Sequence, residues 1–216
     1  MVPYFTLICV IIAFMVSIGL FFQSKADLYL RLFPFFLFLD MIAEYVSYYV
    51  SARGQWNLVV SNPFTVFAFC FYFFTLRQIV NNPIAKKIIR YVLFIYPVIA
   101  LFNIYFLLKN TDFHSVTYSV GCLLVVAICI YYFLELFQQT RMVNLLRQPA
   151  FWICSGLLFY FACSFPLYGL NDLVYRNASP TTIHNLMILF NLLDVFLYSS
   201  FIIAFVCRIR VRKSML

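Results

Sequence analysis

Charge is what this sequence has least of. Only 10% of its 216 residues are Asp, Glu, Lys or Arg, while 65% are hydrophobic. A soluble domain carries about a quarter charged residues, and so few charges cannot coat a water-facing surface. Membrane protein is the class that fits. A net charge of +8 in a soluble chain would point to nucleic acid. Here the basic residues sit at the ends of apolar runs, where membrane-surface anchors belong, and no nucleic-acid partner is expected.

Further absences narrow the function. The seven cysteines, Cys9, Cys70, Cys122, Cys129, Cys154, Cys163 and Cys207, all lie in or beside apolar runs. None forms a C-x-x-C pair or sits in a loop that a disulfide could close, so they read as buried thiols. No H-E-x-x-H, G-x-S-x-G or Walker loop is present, nor a paired Cys/His metal set, so no metal and no cofactor is expected. The last apolar run lacks lysine, which denies a retinal Schiff base a residue on that helix. All breaks between apolar runs are short and no soluble domain flanks them, which excludes an appended kinase, cyclase or ATPase. No internal repeat stands out, which weakens an inverted-repeat transporter architecture. The first run has no positively charged start and no small-residue cleavage site, so it reads as a helix, not a signal peptide.

What is present is seven runs of the ~20 apolar residues a transmembrane helix needs. They cover 3–22, 28–50, 58–76, 88–108, 116–137, 150–170 and 183–207, separated by Pro, Asn, Asp and Ser turn clusters. The expected fold is all-α: one polytopic domain over 1–216, a seven-transmembrane-helix bundle ending in the short basic tail 208–216. If all seven cross, one side receives only Arg53, Lys109 and Arg176. The other receives Lys25, Arg31, Arg77, Lys86, Lys87, Arg90, Arg141, Arg147, Arg208, Arg210, Arg212 and Lys213. Short cytoplasmic loops hold the Lys/Arg excess, which puts the N-terminus outside and the C-terminus in the cytoplasm. Arg208, Arg210, Arg212 and Lys213 are then a cytoplasmic anchor facing anionic lipid headgroups.

Ionisable residues at bilayer depth face a bundle interior or a water-filled cavity. At ~100° per residue, Asp40, Glu44, Ser47 and Ser51 share one face of the second run, with Phe35, Phe38, Ile42, Val46 and Tyr49 opposite. In the last run His184, Asn191, Asp194 and Tyr198 form a polar stripe, with Leu186, Leu189, Leu193 and Leu197 assigned to the lipid side. Depth then gathers Asp40, Glu44, Tyr48, Asn103, Tyr118, His184, Asn191, Asp194 and Tyr198 into a pocket in the outer half of the bundle. No deep Lys or Arg neutralises the acids, so at least one carries a proton or meets Arg53 or a bound cation. Polar side chains also hydrogen-bond helices together without binding anything, and the residues leave both readings open. Trp56 and Trp152 belong at interfacial depth, Pro34, Pro97 and Pro166 at local helix distortions, and Asn177-Ala-Ser179 matches a glycosylation sequon.

Three stretches carry a resemblance: Phe33-Pro-Phe-Phe-Leu-Phe-Leu-Asp-Met-Ile-Ala-Glu44, Asn62-Pro-Phe64, and Arg147-Gln-Pro-Ala-Phe-Trp-Ile-Cys-Ser-Gly-Leu-Leu-Phe-Tyr160. The chain resembles small seven-helix membrane proteins of Bacteroidetes-type bacteria, some of them similar to the membrane modules of sensor histidine kinases. The resemblance implies a seven-helix fold in a bacterial inner membrane and carries over no catalytic residue.

The expected function is a sensory or signalling module that binds a small or lipophilic ligand in the outer-half pocket. It would act through a cytoplasmic signalling partner or a homo-oligomer. Two alternatives stand beside it. A proton- or cation-coupled transporter or channel would use Asp40, Glu44 and Asp194 as a relay. A lipid-modifying intramembrane enzyme, or a structural membrane subunit, would use the same stripes for chemistry or for packing.

Overall fold

In a bilayer the backbone N–H and C=O groups find no water and must bond within their own segment, so each apolar run becomes one helix. The computed structural model describes residues 3–21, 27–52, 58–108, 113–138, 145–169 and 180–213, and no strand occurs among them. Its long helices are α1 (Pro3–Phe21), α2 (Leu28–Ala52), α3 (Leu58–Ile79), α4 (Pro83–Phe102), α5 (Ser115–Phe137), α6 (Pro149–Gly169) and α7 (Pro180–Lys213). A π-helical turn, Asn103–Leu107, prolongs α4, and a 3₁₀ turn, Leu145–Arg147, leads into α6.

Five segments are long and apolar enough to cross a membrane: α3, α4 with its π turn, α5, α6 and the His184–Ile209 part of α7. The chain is therefore a multi-pass helical membrane bundle. In α1 the apolar segment meeting this composition test is the shorter Thr6–Leu20. Helix α2 is long enough at 25 residues but carries Arg31, Asp40 and Glu44. An apolar exterior fits lipid contact: Phe35 is 62% exposed, Phe94 66% and Val98 67%.

Two helices depart from the boundaries read in the sequence. Helix α4 begins at Pro83, not at 88, because Asn82 caps it: its side-chain oxygen accepts from the Ile84 amide at 2.8 Å. Proline suits the first helical position, where no N–H is needed. Lys86, Lys87 and Arg90 thus lie inside the helix. Helix α7 runs 34 residues, about 51 Å at 1.5 Å per residue, well beyond a hydrocarbon core of about 30 Å. The basic tail continues this helix as far as Lys213.

The helices close a ring. Helix α7 packs on α6 and α1, α1 on α2, α2 on α3, α3 on both α4 and α5, and α5 on α6. Helix α4 stands outside the ring and buries only Ile89, Tyr96 and Ala100. Two glycines allow close approach. A Cβ on Gly156 of α6 would lie 2.7 Å from the Ser200 Cβ of α7, and one on Gly121 of α5 would lie 2.8 Å from the Phe69 ring of α3. Small residues at such crossings bring membrane helices together without a hydrophobic driving force.

One face assignment is corrected. Leu193 and Leu197, assigned to lipid in the sequence, are 4% and 2% exposed, whereas Leu189, Leu192 and Phe196 point outward. Helix α7 is wedged between α1 and α6, so its buried arc is wide enough to take both the acid stripe and the leucines beside it.

Candidate functional site

A cavity of about 360 Å³ opens among α2, α3, α5, α6 and α7. It lies where α2 and α6 end and where α3, α5 and α7 begin. Asp40, Glu44 and Ser47 from α2 line one side, Ser61, Thr65 and Tyr72 from α3 the next. Tyr118 of α5, Tyr160 and Tyr168 of α6, and Asp194 and Tyr198 of α7 complete it. Four phenylalanines, Phe64, Phe69, Phe113 and Phe161, add to the wall, and no Lys, Arg or His is among the described lining residues.

The three acids occupy different environments. Asp40 is 6% exposed, and its Oδ2 accepts a hydrogen bond from the Tyr198 hydroxyl at 2.7 Å. Asp194, half-buried, lies close to the Tyr160 hydroxyl and within electrostatic reach of Glu44 and Asp40. Glu44, one turn beyond Asp40, is exposed towards the mouth. Like charges in a space of low dielectric repel unless a cation or a proton intervenes. The aromatic rings lock together around them: Tyr118 lies 4.3 Å from Tyr168 and 5.3 Å from Phe69 between ring centroids. Phe161 meets Tyr72 at 5.5 Å.

Away from the mouth an aromatic layer packs beneath the cavity. Phe33 touches Phe71, Phe201 and Phe205 with centroids 5.0, 5.1 and 5.3 Å apart, and Phe36 stacks on Phe71 at 4.2 Å. Such edge-to-face and stacked pairs pack without polar atoms.

A buried histidine braces the wall. His114, the residue before α5, is fully buried. Its Nε2 lies 2.6 Å from Thr65 Oγ1 and its Nδ1 2.9 Å from Thr117 Oγ1. The Thr65 hydroxyl donates to the Asn62 carbonyl at 2.8 Å and the Thr117 hydroxyl to the His114 carbonyl at 3.2 Å. Both hydroxyl oxygens thus offer lone pairs to the ring, and a neutral imidazole donates to one of them. Burial pushes the His114 pKa down to about 4 from the usual 6.5, because the charged ring would lose its hydration.

Of the site residues read in the sequence, Asp40, Glu44, Tyr118, Asp194 and Tyr198 meet at this cavity. Asn191 does not line it: its Oδ1 accepts from Thr6 of α1 at 2.7 Å, and its Nδ2 donates to the Met187 carbonyl. It ties α7 to α1, because α1 occupies that side of α7. Asn103 belongs to the π turn of α4, whose helix stands outside the ring, and its buried Oδ1 has no hydrogen-bond partner. His184 is exposed near the start of α7, where no ring helix covers it. The Tyr48 side chain lies outside the described residues, as do Arg53, Trp56, Lys109, Arg176 and the sequon at 177–179. So do the side chains of Arg210, Arg212 and Lys213, while Arg208 is half-buried on α7.

Sequence reasoning missed Tyr72, Tyr160, Tyr168 and His114. The tyrosines are hard to single out among 16 Tyr and 28 Phe. His114 had a readable signal, a Ser/Thr-rich helix start, His-Ser-Val-Thr-Tyr118, facing the Asn62-Pro-Phe64-Thr65 stretch. No protein family, curated protein or solved structure matches the chain.

Proposed function

We propose that this protein is a sensory or signalling module of a bacterial inner membrane, whose cavity binds a small organic cation and whose helices pass the event to a separate cytoplasmic partner. One observation carries the reading: Asp40, Glu44 and Asp194 share a cavity with five tyrosines and four phenylalanines and, among the described residues, with no basic side chain. A cationic amine gains from the carboxylates and, within about 6 Å of a ring, from the aromatic faces. A metal ion is less well served, because no group of three His, Cys, Asp or Glu side chains among the described residues is placed to hold one.

The orientation follows from the Lys/Arg segregation, with seven crossings, an outer cavity and an inner tail. A reporter fused after Leu216 and active only in the cytoplasm tests it. Helix α7 carries Asp194 and Tyr198 at the cavity and Arg208 nearer the tail on one continuous helix. A shift at the cavity is thereby transmitted as a movement of a rod. The transporter reading requires a polar path to the opposite end, and the apolar packing of Phe33 on Phe71, Phe201 and Phe205 favours the sensory reading over it.

Purified protein in nanodiscs, titrated with benzyltrimethylammonium, its neutral isostere neopentylbenzene, and benzoate, tests the ligand class. The expected result is a raised melting temperature with the cation alone, lost in D40N and D194N. Equal shifts from cation and isostere, or none from either, would overturn the reading. Co-purification from membranes with and without the cation tests the coupling to a cytoplasmic partner.

A further inference from the structure

At the opposite end of the bundle, a second cavity of about 390 Å³ is lined by Arg77 at the end of α3 and by Pro83, Lys86, Lys87, Arg90 and Tyr91 at the start of α4. Four cations meet in one concave space, and no carboxylate lines it among the described residues. Neighbouring Glu135 of α5 is engaged elsewhere, accepting from the Asn81 and Asn82 amides at 2.9 and 2.8 Å. Four like charges on one concave surface repel one another, and an anion held among them would relieve that repulsion.

A second observation, independent of the charge count, concerns one of the lining residues. The Arg77 Nε is buried and has no hydrogen-bond partner among the described residues. A buried donor left unmade is costly, and more so on a charged group. A guanidinium presents a planar fork of donors that matches the paired oxygens of a phosphate.

What lies beyond the cations identifies the anion. Lys87, Tyr91, Phe94 and Val98 follow one another at i, i+4, i+7 and i+11 along α4, which sets them on one face. Past the cations that face is bare hydrocarbon, with Tyr91 56%, Phe94 66% and Val98 67% exposed. Helix α4 lies outside the ring, so no other helix covers this stripe. A molecule with a phosphate head and long acyl chains satisfies both halves. Its head would meet Arg77, Lys86, Lys87 and Arg90, and its chains would lie on Phe94 and Val98. Tyr91 stands at the border, the depth that amphipathic rings favour.

We infer that the α3–α4 junction is a specific binding site for an anionic phospholipid, recognised through its phosphate by Arg77, Lys86, Lys87 and Arg90 and through its acyl chains by the exposed face of α4. Basic pockets between membrane helices suit such headgroups. This site is independent of the cavity at the other end, and it differs from diffuse attraction to the basic tail by being concave and formed by two helices.

Native mass spectrometry of the full-length protein, released from nanodiscs of phosphatidylcholine with phosphatidylglycerol or cardiolipin, reads the retained lipid directly. The expected result is one retained anionic lipid per chain, with retention cut at least five-fold in R77Q/R90Q. R208Q/R210Q, which removes two charges from the tail, should leave it intact. Equal loss in both double variants, or retention undiminished in R77Q/R90Q, would overturn the site. If R77Q/R90Q does not accumulate, K86Q/K87Q carries the same comparison from two more peripheral side chains. Thermal melts in detergent with added phosphatidylglycerol, glycerol phosphate or inorganic phosphate separate the sources of the anion. Stabilisation by the lipid alone supports the proposal, whereas equal stabilisation by the free phosphates would replace the lipid with a soluble anion.

Discussion

The Tyr198 hydroxyl of α7 donates to Asp40 of α2 at 2.7 Å, joining residues 158 positions apart in the chain. Both are buried, at 6% exposure each, so neither has water to fall back on. Helix α7 otherwise packs mainly on α1 and α6, and this bond spans the interior of the ring. A carboxyl oxygen that loses its donor in such a place forfeits the desolvation already incurred, about 1–3 kcal/mol. Tyr198→Phe should therefore lower the melting temperature in detergent by several degrees. Asp40→Asn keeps an acceptor oxygen for the phenol and should cost less. Equal losses in the two variants would show that the bond does not set the difference.

A second link, from Thr6 of α1 to Asn191 of α7 at 2.7 Å, lies away from the cavity. Interhelical hydrogen bonds in membranes contribute about 0.6 kcal/mol on average, with a ceiling near 1.7. Thr6→Val, which keeps shape and removes the hydroxyl, should destabilise by about that amount and leave cation binding unchanged. A Kd that moved with this substitution would return Asn191 to the binding site.

These two bonds mark what the sequence could and could not disclose. Helical periodicity put the acids of α2 and α7 each on one polar face, since that is a property of a single segment. Which helix an inward face meets is a property of the assembled ring. For this reason Asn191 and Tyr198, which share one polar stripe, separate in space: Tyr198 reaches α2 and Asn191 reaches α1. Asn103 lies seven residues after Tyr96, two helical turns on, yet α4 stands outside the ring and of the two only Tyr96 touches Phe69 and Phe73. His184, the histidine that a stripe could display, is exposed. His114, which no stripe contains, is the one enclosed by the fold.

Helix contact is tested at Gly156. An alanine there would place its Cβ 2.7 Å from the Cβ of Ser200, closer than carbons approach, and both atoms are fixed to helix backbones. Overpacking of this kind costs typically about 1–3 kcal/mol. Gly156→Ala should lower the melting temperature, and Ser200→Gly in the same chain should recover most of the loss, because the two sites share one contact. A double variant no more stable than Gly156→Ala would place the strain elsewhere.

The histidine at the start of α5 gives a pH dependence whose sign is determined by burial. His114 in the folded protein takes up a proton only near pH 4, against the usual 6.5, so between those values the unfolded chain binds more protons than the folded one. Stability then rises with pH across that window. His114 contributes no penalty above about pH 6.5, and its penalty grows as pH falls towards about 4, below which it no longer changes. At about 1.4 kcal/mol per unit, the full span amounts to at most about 3.5 kcal/mol. Protonation would place a charge between Thr65 and Thr117, beside the cavity wall at Phe113 and Tyr118. Thermal melts at pH 7 and pH 5 in wild type and His114→Gln isolate this share, because the carboxyls of Asp40, Glu44 and Asp194 titrate in both proteins. The wild type should lose more on acidification than the variant does, and equal slopes would remove His114 as the source.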